Sequence, residues 1–298
     1  MLDGNKQGKQ SSGRHDADAS EPQRGSEIGH SPWPVAETIC AVLRNEPVAE
    51  SYKHLVLDAP DGAAKAVTGQ FFHLLCPVSG KHAPLLRRPM SIYRIDRAHG
   101  RLEFLYKVVG AGTSTLAELR EGSTLNIFGP LGRGFSLDGG HRHIIQVARG
   151  VGLATLAPVA ESAVARGARV TAILSARSPE HLMSVDYLKS AGAEVITVTD
   201  SEGTAAVENV EALVRRLIET QGGDFLVTCG SNRLLLLLQR LASEYGIAGE
   251  VALEQRMGCG IGMCFACVRE FRTPGGGLTY RRVCCEGPVF NIGEATSW

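Results

Sequence analysis

The chain has no surplus of charge of either sign: lysines plus arginines, and aspartates plus glutamates, number 31 each in 298 residues. A polyanionic partner such as nucleic acid, which needs a basic surface, is therefore not expected. Long apolar runs are missing too. The leucines Leu234 to Leu238, flanked by Arg233 and Arg240, fall far short of the ~20 residues that cross a bilayer. Residues 1–33 are polar, rich in Gly and Ser, and contain no apolar stretch of the kind that directs secretion; they read as a disordered tail. No repeat at a solenoid period is present. These absences point to a cytoplasmic protein with neither membrane nor nucleic acid among its partners. In that reducing compartment cysteines serve as metal ligands or redox groups more often than as disulfides.

What is present divides into three stretches. At 44% hydrophobic residues the chain can bury more than one core. From 34 to 138 it reads as short strands, ETICAVLRNE, YKHLVLDA, QFFHLLCPV, PMSIYRI, LEFLYKVV and TLNIFG, separated by turn clusters such as DAPDG and RAHG. That spacing predicts a small antiparallel β-barrel. From 139 to 253 strands (HIIQVA, RVTAILSA, AEVITVT, DFLVTC) alternate with helical stretches at about 152–166, 179–191, 206–220 and 231–245. This alternation predicts an α/β domain with a mostly parallel sheet, whose ligands bind at the carboxyl strand ends. Residues 254–298 form a small cysteine-rich C-terminal domain.

Cys259, Cys264 and Cys267 follow C-x4-C-x2-C spacing, and Cys284 with its neighbour Cys285 lies further on. This is the plant-type spacing of a [2Fe–2S] cluster. Gly258, Gly260 and Gly262 suit a loop that must take positive φ values and bring N–H groups close to sulfur. A structural zinc site is the alternative, although such sites usually pair their ligands as C-x2-C twice. Spacing alone does not choose between Cys284 and Cys285. Cys40 and Cys76 fall in predicted strands and read as small core residues.

Three further stretches suit phosphate. Arg88-Pro89-Met90-Ser91 is an R-x-x-S sequence in which a guanidinium and a hydroxyl could grip a phosphate or pyrophosphate; the plainer reading is an arginine on a solvated strand. Gly110, Gly112 and Thr113 open a short helix whose amides could face an anion, though G-x-G-T is also an ordinary turn. GPLGRGFSL, 129–137, places further glycines at the barrel exit, and the three stretches together would ring one side of the barrel. In the second domain Gly150 and Gly152 make a turn that could admit a pyrophosphate, a pattern shared by many βα turns without ligands. Cys229, ending DFLVTC, is either a neighbour of a nicotinamide ring or a buried strand-end cysteine.

A barrel with R-x-x-S, a nucleotide-type α/β domain and a terminal C-x4-C-x2-C…C stretch, in that order, resembles the electron-transfer subunit of the NAD-dependent dihydroorotate dehydrogenases over roughly residues 35–298. The resemblance is most specific in EQRMGCGIGMCFACV and YRRVCCEGPVF, and aligning Glu286-Gly287-Pro288-Val289-Phe290 assigns the fourth cluster ligand to Cys284, leaving Cys285 a bystander. It implies a ferredoxin-reductase-like fold, with FAD held by Arg88, Pro89, Met90 and Ser91 and its pyrophosphate at Gly110, Gly112 and Thr113. NAD(P) is implied at Gly150, Gly152 and Cys229, and a [2Fe–2S] cluster at Cys259, Cys264, Cys267 and Cys284. The chain departs from the broader ferredoxin-reductase pattern at Ala148-Arg149-Gly150, Ala154-Thr155 and Cys229-Gly230-Ser231. Arg149 either narrows the glycine turn or offers a charge to a phosphate.

The implied activity is electron transfer in pyrimidine biosynthesis. An FMN-containing catalytic subunit, the partner in a hetero-oligomer, would oxidise dihydroorotate, and electrons would pass through the cluster and FAD to NAD. No residue of this chain is expected to perform acid–base catalysis. Two alternatives stand beside this reading: the NAD(P)H-linked flavin and iron–sulfur subunit of a ferredoxin transhydrogenase or hydrogenase, and a zinc-stabilised scaffold that has lost its cofactors.

Overall fold

A computed structural model describes residues 35–60, 63, 65–80 and 82–297; the tail expected over 1–33 lies outside them. The first domain is one antiparallel sheet of seven strands. In chain order these are β1 (Ala36–Ala49), β2 (Tyr52–Asp58), β3 (Phe71–Leu74), β4 (Arg88–Ser91), β5 (Arg94–Asp96), β6 (Arg101–Lys107) and β7 (Thr124–Leu131). They are ordered β4-β3-β7-β1-β2-β6-β5, and the sheet curls into a half-barrel whose edge strands are β4 and β5. Inside lies a core of Leu55, Leu57, Phe72, Leu74, Phe104, Tyr106 and Ile127. Helix α1 (Ala111–Ala117) is tied to β1 by Asn45, whose side-chain amide donates to the carbonyls of Leu116 and Leu119 at 3.0 Å each.

PMSIYRI, expected as one strand, is two. β4 pairs with β3 and β5 with β6. Between them the Ile92 amide still reaches Gln70 O, while the Tyr93 amide turns to Glu103 O. The chain changes partner here, and that change bends the sheet.

The second sheet contains β8 (His143–Arg149), β9 (Arg169–Ala176), β10 (Glu194–Thr199), β11 (Phe225–Cys229) and β12 (Ala248–Ala252), all parallel, in the order β10-β9-β8-β11-β12. Both faces are covered, as the near-continuous apolar runs require. Ile145 and Val147 of β8 face a core built with α4 (Val207–Gln221) and α5 (Asn232–Tyr245). Ile144 and Ala148 face α2 (Leu153–Ala165) together with Tyr93 and Leu105 of the half-barrel, so the two domains share a core. The leucine run belongs to α5, where Leu234, Leu235, Leu237 and Leu238 are buried and Leu236 is exposed. Among the described residues no helix is long and apolar enough to cross a membrane. The helix expected over 179–191 is shorter: a 3-10 turn at Pro179–His181 is followed by α3 (Val185–Ser190). The break falls at Ser184, whose φ of 62° is left-handed.

The C-terminal segment carries a hairpin, β13 (Val268–Arg272) with β14 (Leu278–Arg282), then the single turn α6 (Val283–Glu286) and β15 (Val289–Asn291). β15 does not stay within its own module. It adds antiparallel to β12, pairing Val251 with Phe290 and Ala252 with Val289. The small C-terminal domain expected over 254–298 is thus stitched through β15 to the sheet of the second.

Candidate functional site

The eight cysteines are all free thiols. Four of them are gathered by the loop 258–267 and by α6. The backbone N–H of Cys259 donates to Cys264 Sγ and that of Cys264 to Cys259 Sγ, each at 3.4 Å; the N–H of Cys284 donates to Cys267 Sγ at 3.4 Å. The thiols therefore fall into two pairs, 259 with 264 and 267 with 284. Gly262 of the loop abuts α6 at Cys285. Among the described residues no three Cys, His, Asp or Glu side chains are gathered to hold one metal ion. Two thiol pairs side by side suit a two-iron cluster, which takes two sulfurs per iron. A tetrahedral zinc would need all four around one point.

The loop's conformation explains its glycines. Gly260 and Gly262 have φ of +74° and +79°. Gly258 does not, but a Cβ there would lie 3.2 Å from Cys264 Sγ. Phe265 also takes a left-handed φ of 56°, which nothing in the sequence signals. Amides from Ala266, Cys259 and Gly258 converge on Cys264 and bring its thiol down to about 7. Burial, with the neighbouring Cys267, pushes Cys284 well above the usual thiol range. Cys285 is half-buried against Gly262, where a Cβ would lie 2.9 Å from its Sγ, and burial raises its pKa as well. Arg282 was missed by the sequence reading. Its side chain donates to Glu286 at 3.0 Å and to Gly262 O at 3.4 Å, and its guanidinium lies 5.6 Å from the Phe265 ring centre, so it clasps both cluster segments.

Beside this loop a cavity of about 370 Å³ opens between the three parts of the chain, within the size range of small-molecule sites. Pro89, Met90, Ser91 and Thr113 line it, with Phe71, Tyr106, Lys107, Val151, Thr155, Glu254 and Met257. Arg88 lies over the start of α1, since a Cβ on Gly112 would fall 2.6 Å from its Nε. The amides of Val109 and Gly110 donate inward to Thr113 Oγ1, at 2.9 and 3.1 Å, so the Thr113 hydroxyl and the Gly110 N–H are engaged in capping the helix. The first turn closes from Ser114 N to Gly110 O, which leaves the amides of Ala111, Gly112 and Thr113 free. The glycines of 129–137 do not join the ring around the cavity. A Cβ at Gly132 would lie 2.6 Å from Pro288 and one at Gly129 within 2.9 Å of the Phe72 ring; these glycines allow close packing.

In the second sheet Gly150 and Gly152 form a 3-10 turn into α2. Gly152 packs on the Cys229 carbonyl, and a Cβ on Gly230 (φ +110°) would lie 2.6 Å from Arg149 O. The turn and the end of β11 therefore touch through bare backbone. Cys229 is buried, and desolvation pushes its thiol up to about 12. Arg149 turns away from the glycines. It donates to Ser175 Oγ at 2.7 Å and pairs with Asp200 at 2.5 Å, and that hydrogen bond holds the Asp200 carboxyl below its ordinary range. Next to it a recess of about 250 Å³, lined by Tyr52, Lys107, Arg149, Gly150, Arg177 and His181, sits at the carboxyl ends of β8 and β9. Lys107 borders both this recess and the first cavity. Arg177, Lys107 and Glu254 are further cavity residues that carried no motif. Glu254 is open to solvent at the cavity mouth, yet desolvation of its carboxyl raises its pKa.

Comparison with known proteins adds an independent line. Residues 254–296 match the family described as the iron–sulfur cluster binding domain of dihydroorotate dehydrogenase B, and residues 40–135 match the oxidoreductase FAD-binding domain. The chain is 35% identical over 243 residues to the electron transfer subunit of dihydroorotate dehydrogenase B (NAD(+)) from Desulforamulus reducens, covering 82% of this chain and 92% of that one. It is 35% identical over 256 residues to the subunit of the same name from Geobacillus sp., covering 85% and 96%. Among solved structures, a chain of an NADH-dependent reduced ferredoxin–NADP oxidoreductase superposes with a TM-score of 0.72 at 26% identity, covering 86% of this chain and 89% of that one. A type IV self-sufficient cytochrome P450 monooxygenase shares the fold at 18% identity and a TM-score of 0.61, over 84% of this chain and 39% of that one.

Proposed function

The chain belongs to the family of electron transfer subunits of dihydroorotate dehydrogenase B, and on that premise we propose which of its residues hold each cofactor and which partner it serves. It is an oxidoreductase subunit that works with FAD, an iron–sulfur cluster and NAD. Cys259, Cys264, Cys267 and Cys284 hold the cluster. Arg88, Ser91 and the free amides of α1 would hold the phosphates of FAD, with Pro89 and Met90 lining the cavity open to the rest of it. Gly150, Gly152 and Cys229 frame the site for NAD. When bound, nicotinamide exchanges two electrons as hydride, the cluster passes one at a time, and the flavin works with both.

The chain's own contribution is to position these groups. Amides directed at the sulfurs favour thiolates, the form that binds iron. Cys264, brought down to about 7 by the amides around it, gives up its proton readily. Cys229, held protonated by burial, offers a neutral surface beside the glycine turn. Arg149, neutralised by Asp200, stiffens the end of β8 and brings no spare charge to a phosphate.

The partner in this reading is an FMN-containing subunit that oxidises dihydroorotate in the cytoplasm, in pyrimidine biosynthesis. Exposed Ile261, Met263 and Phe265 on the cluster loop give such a partner an apolar surface next to the sulfurs. The pairing of the four thiols carries the proposal. Mixed with that catalytic subunit, the purified chain is expected to couple orotate formation to NAD reduction in equal amounts. Turnover of dihydroorotate without NADH would refute it. The likeness to the ferredoxin–NADP oxidoreductase chain supports a second reading, a subunit serving ferredoxin, and this predicts NAD(P) reduction by reduced ferredoxin but no orotate.

A further inference from the structure

His73 lies in the middle of β3 and is 1% exposed, yet neither of its ring nitrogens has a hydrogen-bond partner. A neutral imidazole carries one N–H donor and one acceptor, and an orphan buried donor costs about 1–3 kcal/mol. Something absent from the bare chain is needed to satisfy it.

The strand shows in which direction that partner lies. Side chains alternate along β3. Phe72 and Leu74 enter the half-barrel core, whereas Phe71 packs into the core that contains Cys267, Cys284 and Leu131. His73 shares the face of Phe71, their ring centres 5.7 Å apart. Its outer edge meets the cysteine loop: a Cβ on Gly260 would lie 3.0 Å from His73 Cε1 and 3.2 Å from Nδ1. Gly260 directly follows Cys259, and the imidazole forms the floor under the loop. Phe71 also lines the cavity assigned to the flavin, so one strand face touches both sites.

We propose that His73 is a positioning residue for the iron–sulfur centre, its imidazole N–H donating a hydrogen bond to a sulfur of the cluster and setting the cluster's reduction potential. This rests on the cluster assignment above. Hydrogen bonds to cluster sulfurs stabilise the more negative, reduced form and raise the potential. Burial and the nearby Arg87 bring the His73 pKa down to about 4, so the ring stays neutral and its single N–H has a fixed use. The other described histidines with ring hydrogen bonds, His54, His99, His143 and His181, are partnered elsewhere.

The test uses the full chain with its cluster reconstituted anaerobically. EPR-monitored redox titration of His73→Leu is expected to show a tenfold less favourable reduction equilibrium, a shift of ~59 mV to lower potential for one electron, with His73→Gln, which keeps an N–H donor, recovering most of it. Pulsed EPR of the wild type labelled with 15N-histidine is expected to show coupling from one histidine, and this readout stands even if His73→Leu fails to assemble. A normal cluster signal with an unmoved potential in His73→Leu, or with no 15N-histidine coupling in the wild type, overturns the inference and leaves the cluster assignment intact. Wild-type protein lacking labile sulfide and an EPR signal overturns both.

Discussion

The cysteine loop and the glycine turn after β8 are both candidate cofactor sites, and they are built in opposite ways. The loop draws three of its four sulfurs from nine consecutive residues and orients them with its own amides. Its apolar side chains Ile261, Met263 and Phe265 face outward. The turn supplies almost no reactive side chain. It works by bringing the ends of β8 and β11 together until only glycine fits, and its one conspicuous charge, Arg149, is spent on Asp200. A site made of ligating atoms is local in sequence and tolerant of its surroundings; a site made of close backbone approach is non-local and depends on the whole sheet.

Three substitutions break or sharpen that contrast. The largest effect is expected from Cys264→Ser. Cys264 is exposed, so the fold persists, but iron and labile sulfide should fall from full occupancy to near zero while bound flavin, read from its visible spectrum, is retained. Flavin loss in parallel would mean that the loop is not an independent site. Gly152→Val comes next. Its side chain would press on the Cys229 backbone, and overpacking of this kind costs about 1–3 kcal/mol, measurable as a lower urea midpoint; iron content should be unchanged. An unaltered midpoint would show that the turn has slack. Asp200→Asn should have the smallest effect. Because Arg149 lowers the Asp200 pKa in the folded chain, the pair stabilises the fold above the ordinary carboxylate range, near 3.9, and that contribution disappears as pH falls through the lowered value. The gap in urea midpoint between wild type and Asp200→Asn should be present at pH 6, close towards pH 3, and narrow with added salt, because the pair is exposed.

The same contrast explains what could be read in advance. Short strand-like stretches set off by turn clusters marked the half-barrel strands, and apolar strands alternating with helical stretches marked the parallel sheet, because turns and buried runs leave a direct trace in the chain. Cysteine spacing identified the metal-binding loop. Where long-range pairing decides, the trace vanishes. Ile92 and Tyr93 read as mid-strand residues but exchange partners from Gln70 to Glu103. The R-x-x-S stretch borders a cavity that Thr113 also lines, but no pattern signalled that the Thr113 hydroxyl caps α1, since a hydroxyl three residues along satisfies the nearest amides first. Spacing left Cys284 and Cys285 open, whereas the fold puts the N–H of Cys284 on Cys267. His73 looked like one more residue of an apolar strand, and only its position under Gly260 distinguishes it.

β15 has one further consequence. By laddering onto β12, with Leu253 N bonded to Pro288 O and Ile292 N to Gly249 O at 2.9 Å each, the chain's last strand seals a sheet edge that would otherwise invite strangers to pair. It also fixes the cysteine-rich segment to the parallel sheet by main-chain bonds, so that the two cannot swing apart while that ladder holds.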